Sequence, residues 1–431
     1  MPTNKASQPG SDAAQPNSRA LAARIVRGWL EADVLPDRLL DEAADQRAFV
    51  MDLVYGVVRR RRTLEWALAR LAERRPPSGV LHAYLLVGLY QVLHMPAVPD
   101  YAAVNETVEA ARAECSAPEL RFVNAILRRA AREQASFADA LMGQPLAVRE
   151  SHPDVLVDRW VQAWGAERTE ALCAWNNQPA DVTLHINRAR TTLAAFLGAL
   201  QAAGITAEPH PFRPEECVAL PRGVAVRSVP GFREGWFAVQ DPSTLVAVEL
   251  LNPQPGERVL DACAAPGGKT VLSAERMADQ GELVALDVSA GRLRRLRENL
   301  RRMGHPAVRV ATGDLAQGLP SDTRPFDRVL LDVPCTNTGV LRRRLDARWR
   351  FSLSALARVT AVQRALLDGG SHCLRPGGCL VYSTCSLEPE ENERLIRDWL
   401  HTHPRFKLRG ERRLFPPDDG VDGAYAACLQ G

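Results

Sequence analysis

Two hydrophobic rhythms divide the chain. From Ser18 to about Ala135 apolar residues recur at helical spacing: Leu21, Ile25 and Trp29, then Phe49, Leu53 and Val57, then Leu64, Leu68 and Leu71. Such spacing stripes one face of a helix. Val80 to Leu93 is almost wholly apolar, as in a helix surrounded by others, and Met95-Pro96-Ala97-Val98-Pro99 ends it. Leu120 to Ala131 supplies a last amphipathic helix. Residues 18–135 are therefore expected to form an all-helical bundle.

Residues 136–237 read as a connecting α+β module. Helical pieces run around Val155 to Trp175 and Leu193 to Ala203, and strand-like pieces lie at Val182 to Ile186 and Val224 to Val226. From Val239 strands alternate with helices. Val259-Leu260 leads into a glycine-rich loop, Leu283 to Leu286 ends at Asp287, and Val308 to Ala311 ends near Asp314. Val329-Leu330-Leu331 ends at Asp332, and Leu380-Val381-Tyr382 runs into Cys385. Repeated strand, helix, strand units predict a right-handed, doubly wound parallel sheet over residues 238–431. Ligands of such sheets bind beyond the carboxyl ends of the strands, where these acidic residues and thiols fall.

At 431 residues, 46% hydrophobic and 24% charged, the chain has material for two or three ordinary globular domains. No apolar run reaches the roughly 20 residues that span a bilayer. Residues 1–17 are polar and lack the apolar core of a secretory signal, and are expected to be a disordered tail on a cytoplasmic protein. The nine cysteines are odd in number, irregularly spaced and without a Cys-x-x-Cys pair, which argues against a disulfide framework and a structural zinc site. Cys115, Cys173, Cys217, Cys373 and Cys379 have no chemical context and read as inert core residues.

The net charge of +3 says little about partners, but its clustering says more. Arg59 to Arg62 form an unbroken run, Arg128, Arg129 and Arg132 close a helix, and Arg342, Arg343 and Arg344 follow the first of two cysteine motifs. Three such runs point toward a phosphate-bearing partner.

Asp261-Ala262-Cys263-Ala264-Ala265-Pro266-Gly267-Gly268-Lys269-Thr270 joins the first strand of the sheet to a helix. Small residues and glycines let a ligand approach the backbone, and the helix start offers free N–H donors. The loop is neither a Gly-x-Gly-x-x-Gly dinucleotide fingerprint nor a Walker loop. Asp287 is placed to accept hydrogen bonds from ribose hydroxyls, and Asp314 to meet an adenine edge. An adenosine without a pyrophosphate suits this set, and S-adenosylmethionine is such a ligand. Lysine occurs only at Lys5, Lys269 and Lys407, so an ammonium inside the tightest loop is unusual in a chain that otherwise uses arginine.

Several of these segments resemble the NOP/Sun family of RNA cytosine-5 methyltransferases. They are Asp261 to Thr270, Asp332-Val333-Pro334-Cys335 with Thr338-Gly339-Val340-Leu341-Arg342-Arg343, and Thr384-Cys385-Ser386 with Pro389-Glu390-Glu391-Asn392. Gln240-Asp241-Pro242-Ser243 and Asp422-Gly423-Ala424-Tyr425 extend the likeness across the third region. The helical region, through Ala103 to Val108 and Arg121 to Arg128, is similar to the NusB-like RNA-binding domain fused to bacterial members.

The resemblance implies a Rossmann-like class I methyltransferase domain behind the helical bundle. It also implies S-adenosylmethionine as cofactor and 16S ribosomal RNA as partner, as in the Sun/Fmu branch, for a monomer with no membrane attachment. Cys263 to Lys269, Asp287, Asp314 and Asp332 would line the cofactor site. Cys385 would be the nucleophile adding to carbon 6 of cytosine, Cys335 would assist product release, and Asp332 would hydrogen-bond the cytosine N3 and amino group. A free thiol has a pKa of about 8.5, so the nucleophile needs help to ionise.

Trp349, Phe351 and Tyr382 are candidate stacking partners for the base. Thr336-Asn337 stand where Ser-Gly is common, Leu345 where a proline is usual, and Ala424 where an aromatic is normal, departures that bear on substrate contacts rather than reaction type. A transfer-RNA substrate and a non-catalytic, antitermination-type RNA-binding factor are the alternatives.

Overall fold

The computed structural model describes residues 17–32, 47–72, 77–320 and 323–431, so the tail expected over residues 1–17 lies, but for Asn17, outside the described residues, as does Lys5. Contacts divide the chain into two compact units, Met1–Val157 and Asp158–Gly431. Among the described residues no helix is long and apolar enough to cross a membrane.

The first unit is helical. Its main helices are Ser18–Ala32, Arg47–Ala72, Gly79–His94, Asp100–Ala111 and Ala117–Arg132. Gly79–His94 is buried without a break from Ala83 to Val92, as its all-apolar sequence predicts, because the other helices surround it. The arginine run does not make a free basic surface. Arg60 pairs with Glu150 (3.8 Å), Arg61 with Glu65 (2.9 Å) and Arg62 with Asp154 (2.6 Å). In the last long helix Arg129 pairs with Glu133 at 2.9 Å, while Arg128 and Arg132 are exposed.

The second unit carries two sheets. The smaller is antiparallel, in the order β2-β3-β1-β4, from β1 (Val182–Ile186), β2 (Glu208–Pro209), β3 (Cys217–Leu220) and β4 (Phe237–Val239). Phe196 and Leu200 of the helix Leu193–Ala202 pack against Phe237 and β1. Two local expectations change here. The helical stretch expected from Val155 to Trp175 is two helices, Asp154–Trp164 and Ala166–Asn176, because Gly165 takes a left-handed φ of 82° between them. Val224–Val226, expected as a strand, lies just after a proline-glycine turn and enters a single 3-10 turn, Val226–Ser228.

The larger sheet has the order β10-β11-β9-β8-β5-β6-β7. Its strands are β5 (Arg258–Ala262), β6 (Glu282–Asp287), β7 (Arg309–Thr312), β8 (Phe326–Asp332), β9 (Leu374–Thr384), β10 (Lys407–Leu414) and β11 (Ala424–Gln430). From β9 to β7 all neighbours are parallel, and helices between strands cover the two faces, which is why Val259-Leu260, Val329-Leu330-Leu331 and Leu380-Val381-Tyr382 are apolar without alternation. This is the doubly wound, Rossmann-like arrangement. One strand departs from the all-parallel expectation: β11 is antiparallel to both β9 and β10, the pairing allowed by the short connection between β10 and β11.

The chain runs β5, β6, β7 to one side and then places β8 on the other side of β5, so the strand order switches between β5 and β8. The register there sets Ala262 beside Leu331, Leu331 beside Tyr382 and Asp332 beside Ser383. Everything just past those residues emerges at one edge.

Two members of the basic triplet after the first cysteine motif are ion-paired, and one of them is internal. Arg342 is 5% exposed; its Nε meets Asp422 Oδ1 at 3.0 Å, and its guanidinium lies 4.2 Å over the Trp175 ring. Arg343 pairs with Asp241 at 2.8 Å and with Asp422 but stays exposed, as does Arg344. The network ties the loop after β8 to the segments before helix Leu245–Leu251 and before β11. Removing one member of a buried ion cluster strands the others, at a cost of about 3–5 kcal/mol. Arg342→Ala is therefore expected to lower the urea-unfolding free energy of the second unit by that order, and a variant as stable as the parent would show that the cluster contributes nothing.

Candidate active site

At the end of β5, Asp261 is fully buried; its Oδ2 accepts a 2.6 Å bond from the Thr270 hydroxyl and its Oδ1 has no partner. Burial pushes its pKa up to about 7. The loop then turns over the sheet edge. Ala264 N–H donates to Leu286 O (2.9 Å) and Ala265 N–H to Asp287 Oδ2 (3.1 Å), which fastens the loop to the end of β6. Gly267 has φ 108°, and a Cβ there would lie 3.0 Å from Leu296 Cγ, so this turn needs glycine.

A cavity of about 660 Å3 opens at this edge, within the range of small-molecule sites. Cys263, Ala265, Pro266, Asp287, Asp314 and Asp332 line it together with Cys335 and Cys385. The remaining loop residues stand behind the wall: Ala264 is buried, and Gly267 and Gly268 start the helix Gly268–Arg276. Lys269 does not line the cavity either, but its Nζ pairs with Asp332 Oδ2 at 2.8 Å. Burial lowers the pKa of this ammonium, and the Asp332 carboxylate outweighs that, so the Lys269 pKa lies above its ordinary value. Asp287 accepts from Ala265 and Ser289 N–H and keeps lone pairs for further donors. Asp314 caps the turn after β7, accepting from Ala316 N–H at 3.0 Å.

This set fits S-adenosylmethionine. Asp287 would take the ribose hydroxyls, Leu286, Val288 and Leu315 provide apolar wall, and the orphaned Asp261 Oδ1 leaves an acceptor at the root of the loop.

On the other side of the cavity the two thiols meet, with Cys335 Sγ 3.2 Å from Cys385 Sγ. The hydrogen bond from Cys335 to Cys385, followed by burial, holds the Cys335 thiol well above the usual thiol range. Cys263 is likewise pushed up to about 12, chiefly by burial, and stays a thiol. A second close pair, Cys379 and Cys428 with Sγ atoms 2.9 Å apart, gives Cys379 a thiol partner that its sequence context did not reveal.

Some residues of the site appear in the sequence only as motif letters, with no role assigned. Asn337, in the left-handed region at φ 61°, accepts from Cys385 Sγ–H at Oδ1 (3.3 Å) and donates from Nδ2 to Cys335 O (2.8 Å). An Asn in place of the usual glycine of the motif was the available signal, since Asn tolerates this conformation. Gly339 N–H donates to Cys385 O (2.9 Å) and Gly423 N–H to Gly339 O (2.8 Å). Of the candidate stacking residues, Tyr382 is in the core and donates to Glu391 O, Phe351 lines a neighbouring cleft of about 240 Å3 that shares Cys335 and Asn337 with the main cavity, and Trp349 is half-buried.

Two predictions follow from this geometry. A Cβ on Gly339 would fall 2.7 Å from both Cys385 O and Gly423 O, so Gly339→Ala should push the thiol turns apart and cost at least about 100-fold in any rate that needs both; steady-state assay checks this, and full activity contradicts it. Asp261 has a folded pKa near 7 against about 3.9 unfolded, so relative to Asp261→Asn it favours the fold most below pH 4 and loses that contribution as pH rises to 7. Urea unfolding across that window should show the difference shrinking, and parallel curves would contradict it.

Comparison with known proteins agrees with this architecture. A profile of the family described as 16S rRNA methyltransferase RsmB/F matches residues 248–430, one of the NusB family matches 16–132, and one of the RsmF/B-like ferredoxin-like domain matches 152–227. The chain is 37% identical over 405 residues to the probable ribosomal RNA small subunit methyltransferase B of Synechocystis, covering 91% of this chain and 90% of that one. It is 36% identical over 435 residues to ribosomal RNA small subunit methyltransferase B of Yersinia pseudotuberculosis, covering 96% and 99%. A solved methyltransferase homologue from Pyrococcus horikoshii superposes with a TM-score of 0.57 at 30% identity, covering 66% of this chain and 97% of that one. These matches span nearly the whole chain and the whole of its relatives: the chain belongs to the RsmB/F family of 16S rRNA methyltransferases.

Proposed function

We propose that the protein transfers the methyl group of S-adenosylmethionine to carbon 5 of a cytosine in 16S ribosomal RNA, through a transient bond between Cys385 Sγ and carbon 6. The observation that carries this reading is the pair of sulfurs 3.2 Å apart in the wall of a cavity that also holds Asp287 and Asp332.

The cofactor, when bound, supplies an electrophilic methyl carbon on a sulfonium. The protein's part is to make carbon 5 a nucleophile. The Cys385 thiolate adds to carbon 6, and the ring electrons move toward carbon 5 and N3. Asp332 accepts from the amino group and, with a proton relayed from the Lys269 ammonium that pairs with it, donates to N3; it lends that proton to N3 as charge arrives there and takes it back when the ring double bond re-forms. After carbon 5 has gained the methyl group, its proton must leave, and those electrons re-form the double bond to carbon 6 as the carbon–sulfur bond returns its pair to Cys385.

Cys335 is suited to that last step by its coupling to Cys385. The first cause holding its proton is the Cys385 sulfur. Once that sulfur is a thioether it no longer attracts the proton as an anion, and Cys335 becomes more acidic. It can then lose its proton to water and accept the one on carbon 5. The base must leave its stack to enter such a cavity, which favours naked RNA or an early assembling subunit over a finished one. We read the protein as a monomer, and its nine free cysteines suit a reducing cytoplasm.

Cys385→Ala is expected to bind S-adenosylmethionine by calorimetry as the parent does and to lose at least about a thousandfold in methyl transfer to 16S transcript; bisulfite sequencing that still finds the modified cytosine would refute the scheme. Cys335→Ala should instead accumulate a protein–RNA adduct, seen as a shifted band on a denaturing gel. Absence of that band in a variant whose Cys385 still alkylates would remove the release role.

A further inference from the structure

Behind the two thiol-bearing turns lies a side chain that the scheme above does not use. Glu391 is fully buried, and among the described residues no Lys, Arg or His pairs with it. Its Oε2 accepts from Thr336 N–H and from Gln363 Nε2, each at 2.9 Å. Its Oε1 accepts from the Ser386 hydroxyl at 2.6 Å and from the Thr336 hydroxyl. A carboxylate offers about four acceptor sites, so the set is complete.

The donors are informative. Thr336 directly follows Cys335, and Ser386 directly follows Cys385. Gln363 also donates to Pro334 O at 2.9 Å, so the Cys335 turn is held on both sides of the thiol. A buried carboxylate without a cation is costly and persists where its hydrogen bonds replace water.

Charge is also unevenly arranged about the sulfurs. The Glu391 carboxylate acts on Cys335, adding to the effects of Cys385 and burial that retain its proton. Lys269, paired with Asp332, stands toward Cys385, whose sulfur is among the groups that keep this ammonium charged after burial and Asp332. The other ionisable groups about Glu391 are Tyr382, held as a phenol by burial and then by Glu391, and Glu388, which is paired with Arg159 at 2.8 Å.

We propose that Glu391 is a positioning residue: it clamps the two cysteine turns at their working separation, and its charge on the Cys335 side favours the arrangement in which the Cys335 thiol donates to the Cys385 sulfur. This rests on the reading of Cys385 as the nucleophile.

Glu391→Gln keeps the volume and removes the charge. In the full-length protein without RNA or cofactor, residue-resolved iodoacetamide labelling by mass spectrometry at pH 9 should show Cys335 reacting about tenfold faster, the equivalent of one pKa unit. In turnover, kcat should fall at least about tenfold with the KM for cofactor unchanged. Ser386→Ala, which cuts one arm of the clamp and leaves the charge, should lower kcat without changing Cys335 labelling.

If Glu391→Gln fails to fold, Gln363→Leu serves. It strips a donor from the carboxylate, leaves its charge less compensated, and should slow Cys335 labelling. Unchanged Cys335 labelling in the Glu391 variant, faster labelling in the Gln363 variant, or parental kcat in Ser386→Ala would each overturn the proposal. Labelling needs neither RNA nor methyl transfer, so an error in the enzymatic reading would show separately, as a parent protein without turnover.

Discussion

The site depends on one register. Parallel strands β8 and β9 place Asp332 beside Ser383, and the chain leaves both strands within a few residues of the two thiols. Because side chains alternate along a strand, slipping this pairing by one residue would turn one motif away from the other. The 3.2 Å contact between sulfurs is thus set first by backbone hydrogen bonds deep in the sheet, and only then by side chains.

Beyond the strands, the contact is kept by a backbone junction. Gly339 bonds to Cys385 O and receives Gly423 N–H, joining the loop after β8, the turn after β9 and the entry to β11. Arg342 and Arg343 fix the same loop through Asp422 and Asp241. The antiparallel β11 therefore has a use besides joining β10 to the sheet, since the turn that leads into it buttresses the nucleophile's turn. The cofactor loop reaches the same place from β5, with Lys269 meeting Asp332 across the strand-order switch.

Much of this was legible in the sequence for plain physical reasons. Long periodic stretches such as Leu21 to Trp29 and unbroken apolar runs such as Val329 to Leu331 declare their elements locally, and the order of strand-end residues placed the candidate chemistry at one edge. The short strands β3 and β4 carry too few residues to show a period, and Val224–Val226 looked strand-like only because β-branched residues flank an alanine. The ion pairs made by parts of the arginine runs were not legible because the partners are distant in sequence: Arg62 meets Asp154, and Arg342 meets Asp422. Glu391 and Asn337 were visible as motif letters, but their work is to bridge segments about fifty residues apart, as the Thr336 to Glu391 and Cys385 to Asn337 bonds do.

The most direct test of the account is to trap the sulfur–carbon bond. 16S transcript containing 5-fluorocytidine, which cannot release its carbon 5 substituent as a proton, would be incubated with the protein and S-adenosylmethionine, digested, and the RNA-linked peptide sequenced by mass spectrometry. The account predicts linkage at Cys385 to a methylated base. Linkage at Cys335, or methyl transfer to unmodified RNA with no trapped linkage at any cysteine, would contradict it.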